Sequence, residues 1–179
     1  MKLSIISRKG SSPKTIKNIL GNLQDAQLLP REGANGRNAE ILFRFGTMHP
    51  VTSLFEINTS QLVETIDNKP LTRMILQDSH INIPKTYFSK AQIQRSDQVH
   101  YPLIGRLRYH NGGKRIVISN NIRDINADQY SEYWSEFIDK DREFRIYVFF
   151  GKVIGVEEKI PNDRNCVAWN FATGNSKFR

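Results

Sequence analysis

Apolar and polar positions follow two rhythms along this chain, helical spacing alternating with short strand-like runs before about Tyr101 and mainly strand-like runs after it. Residues 2–7 form an apolar run that predicts a strand. Ser11-Ser12-Pro13 then offers an N-cap with proline in a tolerated first-turn position, and Ile16, Ile19, Leu20 and Leu23 follow at helical spacing, with Gly21 weakening the last turn. Residues 31–38, carrying Gly33, Asn35 and Gly36, read as a loop, and residues 40–45 as a buried strand ending at Gly46. The best-marked helix comes next: Asp67 or Asn68 caps it, Pro70 sits in its first turn, and Leu71, Met74, Ile75 and Gln77 carry it to about Ser79. Ile81 to Pro84 leaves as an extended piece, because the residue before a proline is pushed out of the helical region. Beyond Tyr101 the pattern predicts strands at 102–107, 115–119, 143–150 and 152–159, the last two joined as a hairpin through Phe150-Gly151-Lys152. The whole predicts an α/β fold with no internal repeat.

Composition narrows the classes. A chain of 179 residues with 39% hydrophobic content is long enough for a sizeable core, since chains of this size bury roughly 70% of their unfolded surface. Cys166 is the only cysteine, so neither an internal disulfide nor a thiolate metal cluster can be built from this chain alone. His49, His80, His100 and His110 lack the i, i+4 spacing of a helical metal site. No apolar run reaches membrane-spanning length, which predicts a soluble, cytoplasmic protein with no membrane partner. The net charge of +8 favours an anionic partner, whether polyphosphate nucleotide, nucleic acid or acidic peptide, and the cations are spread rather than run together, as on folded surfaces.

Two segments carry candidate chemistry. Residues 101–118, YPLIGRLRYHNGGKRIVI, read as strand, basic glycine-bearing loop and strand. Gly112 and Gly113 let backbone N–H groups turn toward an anion, and Arg106, Arg108 and Lys114 supply positive charge, although a plain glycine hairpin with a solvated basic face would look the same. Further on, Ser135-Glu136-Phe137-Ile138 follows an aromatic stretch read as helix-like, and Glu143, Arg145 and Tyr147 share one strand face by the period of two, with Phe144, Ile146 and Val148 on the other. An acid and an arginine side by side there also fit an ordinary surface ion pair.

Taken jointly these pieces resemble the ATP-grasp family, in the family's order and across about half of the chain. Asp67-Asn68-Lys69 opens the helix that ends at His80-Ile81-Asn82-Ile83-Pro84. Tyr101-Pro102-Leu103-Ile104-Gly105-Arg106 with Asn111-Gly112-Gly113-Lys114 resembles the flap. Glu136-Phe137-Ile138 resembles the adenine-binding hinge, and Glu143-Phe144-Arg145 with Glu158-Lys159 resembles the strand and its hairpin return. Short ATP-grasp proteins of tailed phages are similar down to a Trp-Asn pair like Trp169-Asn170. The resemblance implies a pre-ATP-grasp domain over 1–66, a small lobe over 67–134 and the start of a large lobe over 135–179, the large lobe being incomplete. It further implies ATP as ligand: Lys69 and Arg106 meet the α- and β-phosphates, Arg108 adds charge, His110 to Lys114 close over the β- and γ-phosphates, and the Glu136 to Ile138 backbone receives adenine. Glu143 belongs to the same site, and Arg145 and Lys159 are the implied catalytic residues, facing the phosphates or an acyl-phosphate intermediate.

The implied reaction is that of a carboxylate–amine ligase, with carboxylate and amine substrates that the sequence does not identify. Two departures stand out. Arg106 replaces the family's usual lysine, a planar fork for a compact ammonium. Magnesium ligands are expected outside this chain, because Glu157, Glu158 and Asp163 are the late carboxylates and read as surface residues. A missing C-terminal segment or a protein partner would then complete the site. The alternative from another class is a basic nucleic-acid-binding or virion-associated protein using Tyr109, Tyr130, Tyr133 and Trp134 for stacking.

Overall fold

The computed structural model describes residues 3–7, 26–29, 38–49, 51–110, 113, 115–169 and 174–179. The expected helix after Ser11, the loop at 31–38, and Asn111, Gly112, Lys114 and Asn170 fall wholly or largely outside those residues. The chain divides into two compact units, Met1–Thr72 and Arg73–Arg179.

In the first unit, β1 (Leu3–Ser7), β2 (Ala26–Leu28), β3 (Asn38–Phe45) and β4 (Thr52–Ile57) make one parallel sheet in the order β2-β1-β3-β4. Parallel strands buried on both faces read as continuous apolar runs, and β1 keeps Ser4, Ile5 and Ile6 all buried. Ile6, Leu29, Leu42 and Val51 form the core. Arg44 lies in the same strand as Leu42 and is 1% exposed. Its guanidinium donates to both carboxylate oxygens of Glu56, at 3.2 and 3.1 Å, and to the carbonyls of His49 and Val51.

The first described helix, α1 (Ser60–Asp67), was not expected from the pattern; Thr59 caps it by accepting from Leu62 N–H at 3.2 Å, and Val63 is its buried residue. Next comes α2 (Lys69–Asp78), where the sequence places it. The Asn68 carboxamide oxygen accepts from Leu71 N–H at 3.3 Å. The helix stops at His80, whose φ of 56° allows Ile81 N–H to reach back to Leu76 C=O at 2.9 Å, a Schellman closure formed before Pro84 is reached. Asn68→Ala removes the N-terminal cap and is expected to cost about 1 kcal/mol, read as a lower urea midpoint with unchanged slope.

The second unit holds two antiparallel sheets. One, in the order β5-β8-β6-β7, comprises β5 (Thr86–Tyr87), β6 (Leu103–Arg106), β7 (Val117–Ser119) and β8 (Tyr133–Glu136). Two short helices, α3 (Lys90–Gln94) and α4 (Ile122–Ala127), are capped by Ser89 and Asn121. Lys90 ties them together through the carbonyls of Asn126 and Asp128. Tyr87, Ile93, Leu103, Ile125 and Trp134 pack as the core. The stretch read as helix-like ahead of Ser135 is a strand: Tyr133, Trp134 and Ser135 are consecutively buried in β8, so burial on both faces erases the alternation that marks a strand.

The other sheet, β11-β10-β9, contains β9 (Glu143–Phe149), β10 (Lys152–Pro161) and β11 (Ser176–Phe178). The hairpin predicted at Phe150-Gly151 is present, with φ of 45° and 73° at its two turn residues, the left-handed pair that matches strand twist. A register shift between Val153 and Gly155 interrupts the ladder. Phe144, Ile146 and Val148 share one exposed face of the hairpin with Val156.

Candidate functional site

The residues nominated from the sequence distribute over both units. Lys69 begins α2 within the first unit, and its ammonium donates to Ile66 C=O at 2.7 Å. The others that are described lie in the second unit. Arg106 ends β6 opposite Tyr133, and its Nε is buried without a hydrogen-bond partner, leaving a cation with a donor to spend. Arg108 pairs with Glu132, whose carboxylate accepts from the Arg108 N–H at 2.7 Å. His110 meets the Tyr133 hydroxyl at 2.9 Å and stacks on its ring. Gly113 has φ of 66°, the left-handed conformation expected of a glycine flap.

Glu136 ends β8, and its N–H donates to Lys85 C=O at 3.0 Å; the next N–H, of Phe137, donates to Pro102 C=O at 3.0 Å. Among the described residues no backbone hydrogen bond occupies Ile138 or Asp139. Among the described residues the free backbone edge therefore starts at Ile138, two residues later than the Glu136 to Ile138 stretch suggests. Asp139 lines a cavity of about 510 Å³ with Pro102, Ile118, Phe137, Lys140, Cys166 and Trp169 in its wall. The Lys140 ammonium stands 4.8 Å from the centre of the Trp169 ring. Trp169 is only 5% exposed, so the ring is a fixed wall.

The period-two reading of β9 meets a different set of partners. Glu143 does not pair with Arg145; it is clamped by Lys140 and by Lys159, which sits directly across the ladder. Burial pushes the Glu143 carboxyl up, and the hydrogen bonds from Lys140 and Lys159 together outweigh it, leaving the group below the usual carboxylate range. Arg145 places its guanidinium 4.2 Å from the Phe178 ring centre. Tyr147 donates to Glu157 at 2.5 Å. Glu143, Lys159 and Arg145 therefore share one face of the sheet, with Lys140 and Phe178 laid over it.

The late carboxylates do not make a magnesium site. Glu157 is engaged by Tyr147, Glu158 by Arg142 and Arg179, and Asp163 accepts from Asn165 N–H at 2.9 Å. Among the described residues no three His, Cys, Asp or Glu side chains gather as a metal-binding group. The stacking aromatics of the nucleic-acid alternative also divide: Tyr133 and Trp134 are sealed in the core, while Tyr109 and Tyr130 are exposed. No helix among the described residues is long and apolar enough to cross a membrane.

Sequence reasoning missed Lys140, Arg164, Cys166, Val167 and Trp169 as a cavity wall. Only Trp169 carried a signal, through its neighbour Asn170.

No family model and no curated protein matches the chain. Solved structures do. A RimK domain ATP-grasp protein from Sphaerobacter thermophilus superposes with TM-score 0.58 at 11% identity, over 88% of this chain and 72% of that one. D-alanine–D-alanine ligase from Bacillus anthracis gives TM-score 0.58 at 14% identity, over 92% and 67%. N5-carboxyaminoimidazole synthetase from Staphylococcus aureus, solved as a complex with ADP, gives 0.61 at 10% identity, over 91% and 56%, so this chain spans little more than half of that enzyme. At these identities the likeness is one of backbone architecture, and it agrees with the order of segments in the sequence. The chain is built on the ATP-grasp fold.

Proposed function

We propose that the chain binds ATP in the 510 Å³ cavity of the second unit and serves an ATP-dependent ligase reaction between a carboxylate and an amine. The observation that carries this reading is the apolar wall of that cavity together with Asp139, a lining residue whose backbone makes no backbone hydrogen bond among the described residues. A purine needs a flat apolar slot with a few fixed donors and acceptors at its rim. Pro102, Ile118, Phe137, Val167 and Trp169 supply the slot, the Asp139 backbone the rim, and the Asp139 carboxylate an acceptor for sugar hydroxyls. Lys140 and Arg164 bring positive charge to the same wall.

The chemistry follows from charge. A carboxylate oxygen attacks the γ-phosphorus, the bond to the β-phosphate oxygen breaks and ADP leaves. The amine then attacks the acyl phosphate, inorganic phosphate departs and the amine gives up a proton. Cations around the developing charge supply most of the help in such a transfer. Lys159, Arg145 and Arg106 are the cations proposed to do so, with the Gly113 flap, and Glu143 holds Lys159 in place. Magnesium, if the reaction uses it, would take its ligands from outside this chain. The resemblance to short phage proteins and a cytoplasmic location remain part of this proposal.

Calorimetric titration with ADP and a non-hydrolysable ATP analogue tests the reading. Ile118→Trp, which fills the slot, is expected to weaken ADP binding by at least about tenfold, a change on the scale of losing one well-packed contact surface. Arg106→Ala is expected to weaken the triphosphate analogue more than adenosine. A folded chain that binds neither nucleotide would overturn the proposal.

A further inference from the structure

A second cavity of about 360 Å³ lies beside the first in the same unit, and Arg164 and Trp169 stand in the walls of both. Its charged lining is unbalanced: Arg142, Lys159, Arg164 and Arg179 against Asp141 and Glu158, two positive charges in excess. Glu158 accepts from Arg142 Nε at 2.7 Å and Nη2 at 3.1 Å, and from Arg179 Nη2 at 2.7 Å. A guanidinium carries five N–H donors, so this shared carboxylate orients both arginines and leaves each with donors to spare. Those two hydrogen-bonded arginines hold the Glu158 carboxyl at about 2, so it stays an anion and keeps the pair in place across the working pH range. Arg164 makes no ion pair with any described residue.

The two cavities are also linked through Glu143. It bonds Lys140, which lines the larger, and Lys159, which lines the smaller. A carboxylate shared by two lysines from adjacent cavities sets the position of both cations at once.

We propose that the smaller cavity is the acceptor subsite and takes a small organic acid carrying two anionic groups, held by Arg142, Arg164 and Arg179 beside the nucleotide. The excess of two positive charges matches a dianion, and planar guanidinium forks suit carboxylates through paired hydrogen bonds. The volume suits a molecule at the small end of the ligand range. The assignment of this cavity as acceptor subsite rests on the nucleotide reading of its neighbour; its preference for a dianion does not.

The probes are succinate, acetate and ADP, each titrated into the full chain by calorimetry at constant ionic strength. Succinate is expected to bind saturably and at least about tenfold tighter than acetate, as the second charge-assisted contact requires. Arg142→Gln with Arg179→Gln, both on exposed side chains, is expected to weaken succinate by about tenfold or more and to leave ADP within about twofold. Arg164→Gln breaks no ion pair with a described residue and is expected to weaken succinate as well, which keeps the test open if the double variant unfolds. Non-saturable succinate binding, equal affinity for acetate, or indifference to all three substitutions would overturn the subsite. Succinate binding without ADP binding would sink the nucleotide reading and leave a dianion site standing; ADP binding without succinate would do the reverse.

Discussion

Glu56→Ala is expected to destabilise the first unit by about 3–5 kcal/mol, the usual loss when one partner of a buried ion pair is removed. The Arg44 side chain is 2% exposed and Glu56 is its carboxylate partner, joined through two parallel hydrogen bonds. Without Glu56 the guanidinium keeps, among the described residues, the carbonyls of His49 and Val51, and a charge remains in the interior. The Arg44 hydrogen bond is the largest influence on the Glu56 carboxyl and lowers it; burial opposes with a smaller rise. A carboxyl depressed on folding contributes stability that is present above its unfolded value, near 4.5, and lost as the pH falls through the folded one. The wild-type first unit is therefore expected to weaken on acidification below that point, and the variant to have lost that part of its pH dependence. Amide hydrogen exchange along β1 and β3 is the measurement, because it reads this unit without the other. Protection factors unchanged at neutral pH in the variant would show that the pair is merely tolerated. The double replacement Arg44→Met with Glu56→Leu removes both charges together and is expected to recover much of the loss.

Gly105→Val is the second large effect, expected to cost the second unit more than about 3 kcal/mol, the upper end for overpacking a core. A Cβ at Gly105 would stand 2.3 Å from Ser131 Oγ and 2.9 Å from both Ser131 Cβ and Trp134 Nε1. The Ser131 hydroxyl can rotate but its Cβ cannot move away, because its backbone N–H and that of Tyr130 are fixed on the Asp128 carboxylate at 3.1 and 2.9 Å. Trp134 is equally held, being 2% exposed in the core. Strand β6 must then shift relative to β8, and the ladder from Leu103↔Glu136 to Arg106↔Tyr133 goes with it. Far-UV circular dichroism against urea measures the effect. A midpoint within error of the wild type would mean that the sheet relaxes more easily than this packing allows.

What the sequence could disclose follows from how local each signal is. Helix α2 was legible because its cap, its first-turn proline and its apolar spacing lie within a dozen neighbouring residues. The β9–β10 hairpin was legible because Phe150-Gly151 names its own turn. Strand β8 was not, since Tyr133, Trp134 and Ser135 are buried in succession and carry no alternation. Helix α1 is only eight residues long, so Leu62, Val63 and Ile66 in SQLVETID give a single apolar turn rather than a sustained helical period. Arg44 looks like an interruption in an apolar strand until Glu56, twelve positions on, is seen beside it. The candidate site divides in the same way. The cations and Gly113 were nominated from residue types and order alone, whereas the wall containing Cys166, Val167 and Trp169 comes from a stretch without period, brought to Pro102 and Ile118 only by folding. The partners of Glu143 were likewise beyond reach, since a period of two states which residues share a face but not which lysine leans across it.

The shared wall gives the molecule an optical reporter of its own. The chain has two tryptophans. Trp134 is sealed in the core of the β6–β8 sheet, and Trp169 faces both cavities with the Lys140 ammonium over its indole. An ammonium over an indole perturbs its emission, so a ligand that draws Lys140 away changes the intensity, and one that packs on the ring changes the wavelength. Since Trp134 stays silent toward solvent and ligand alike, both changes can be read on the unlabelled chain and assigned to a single side chain.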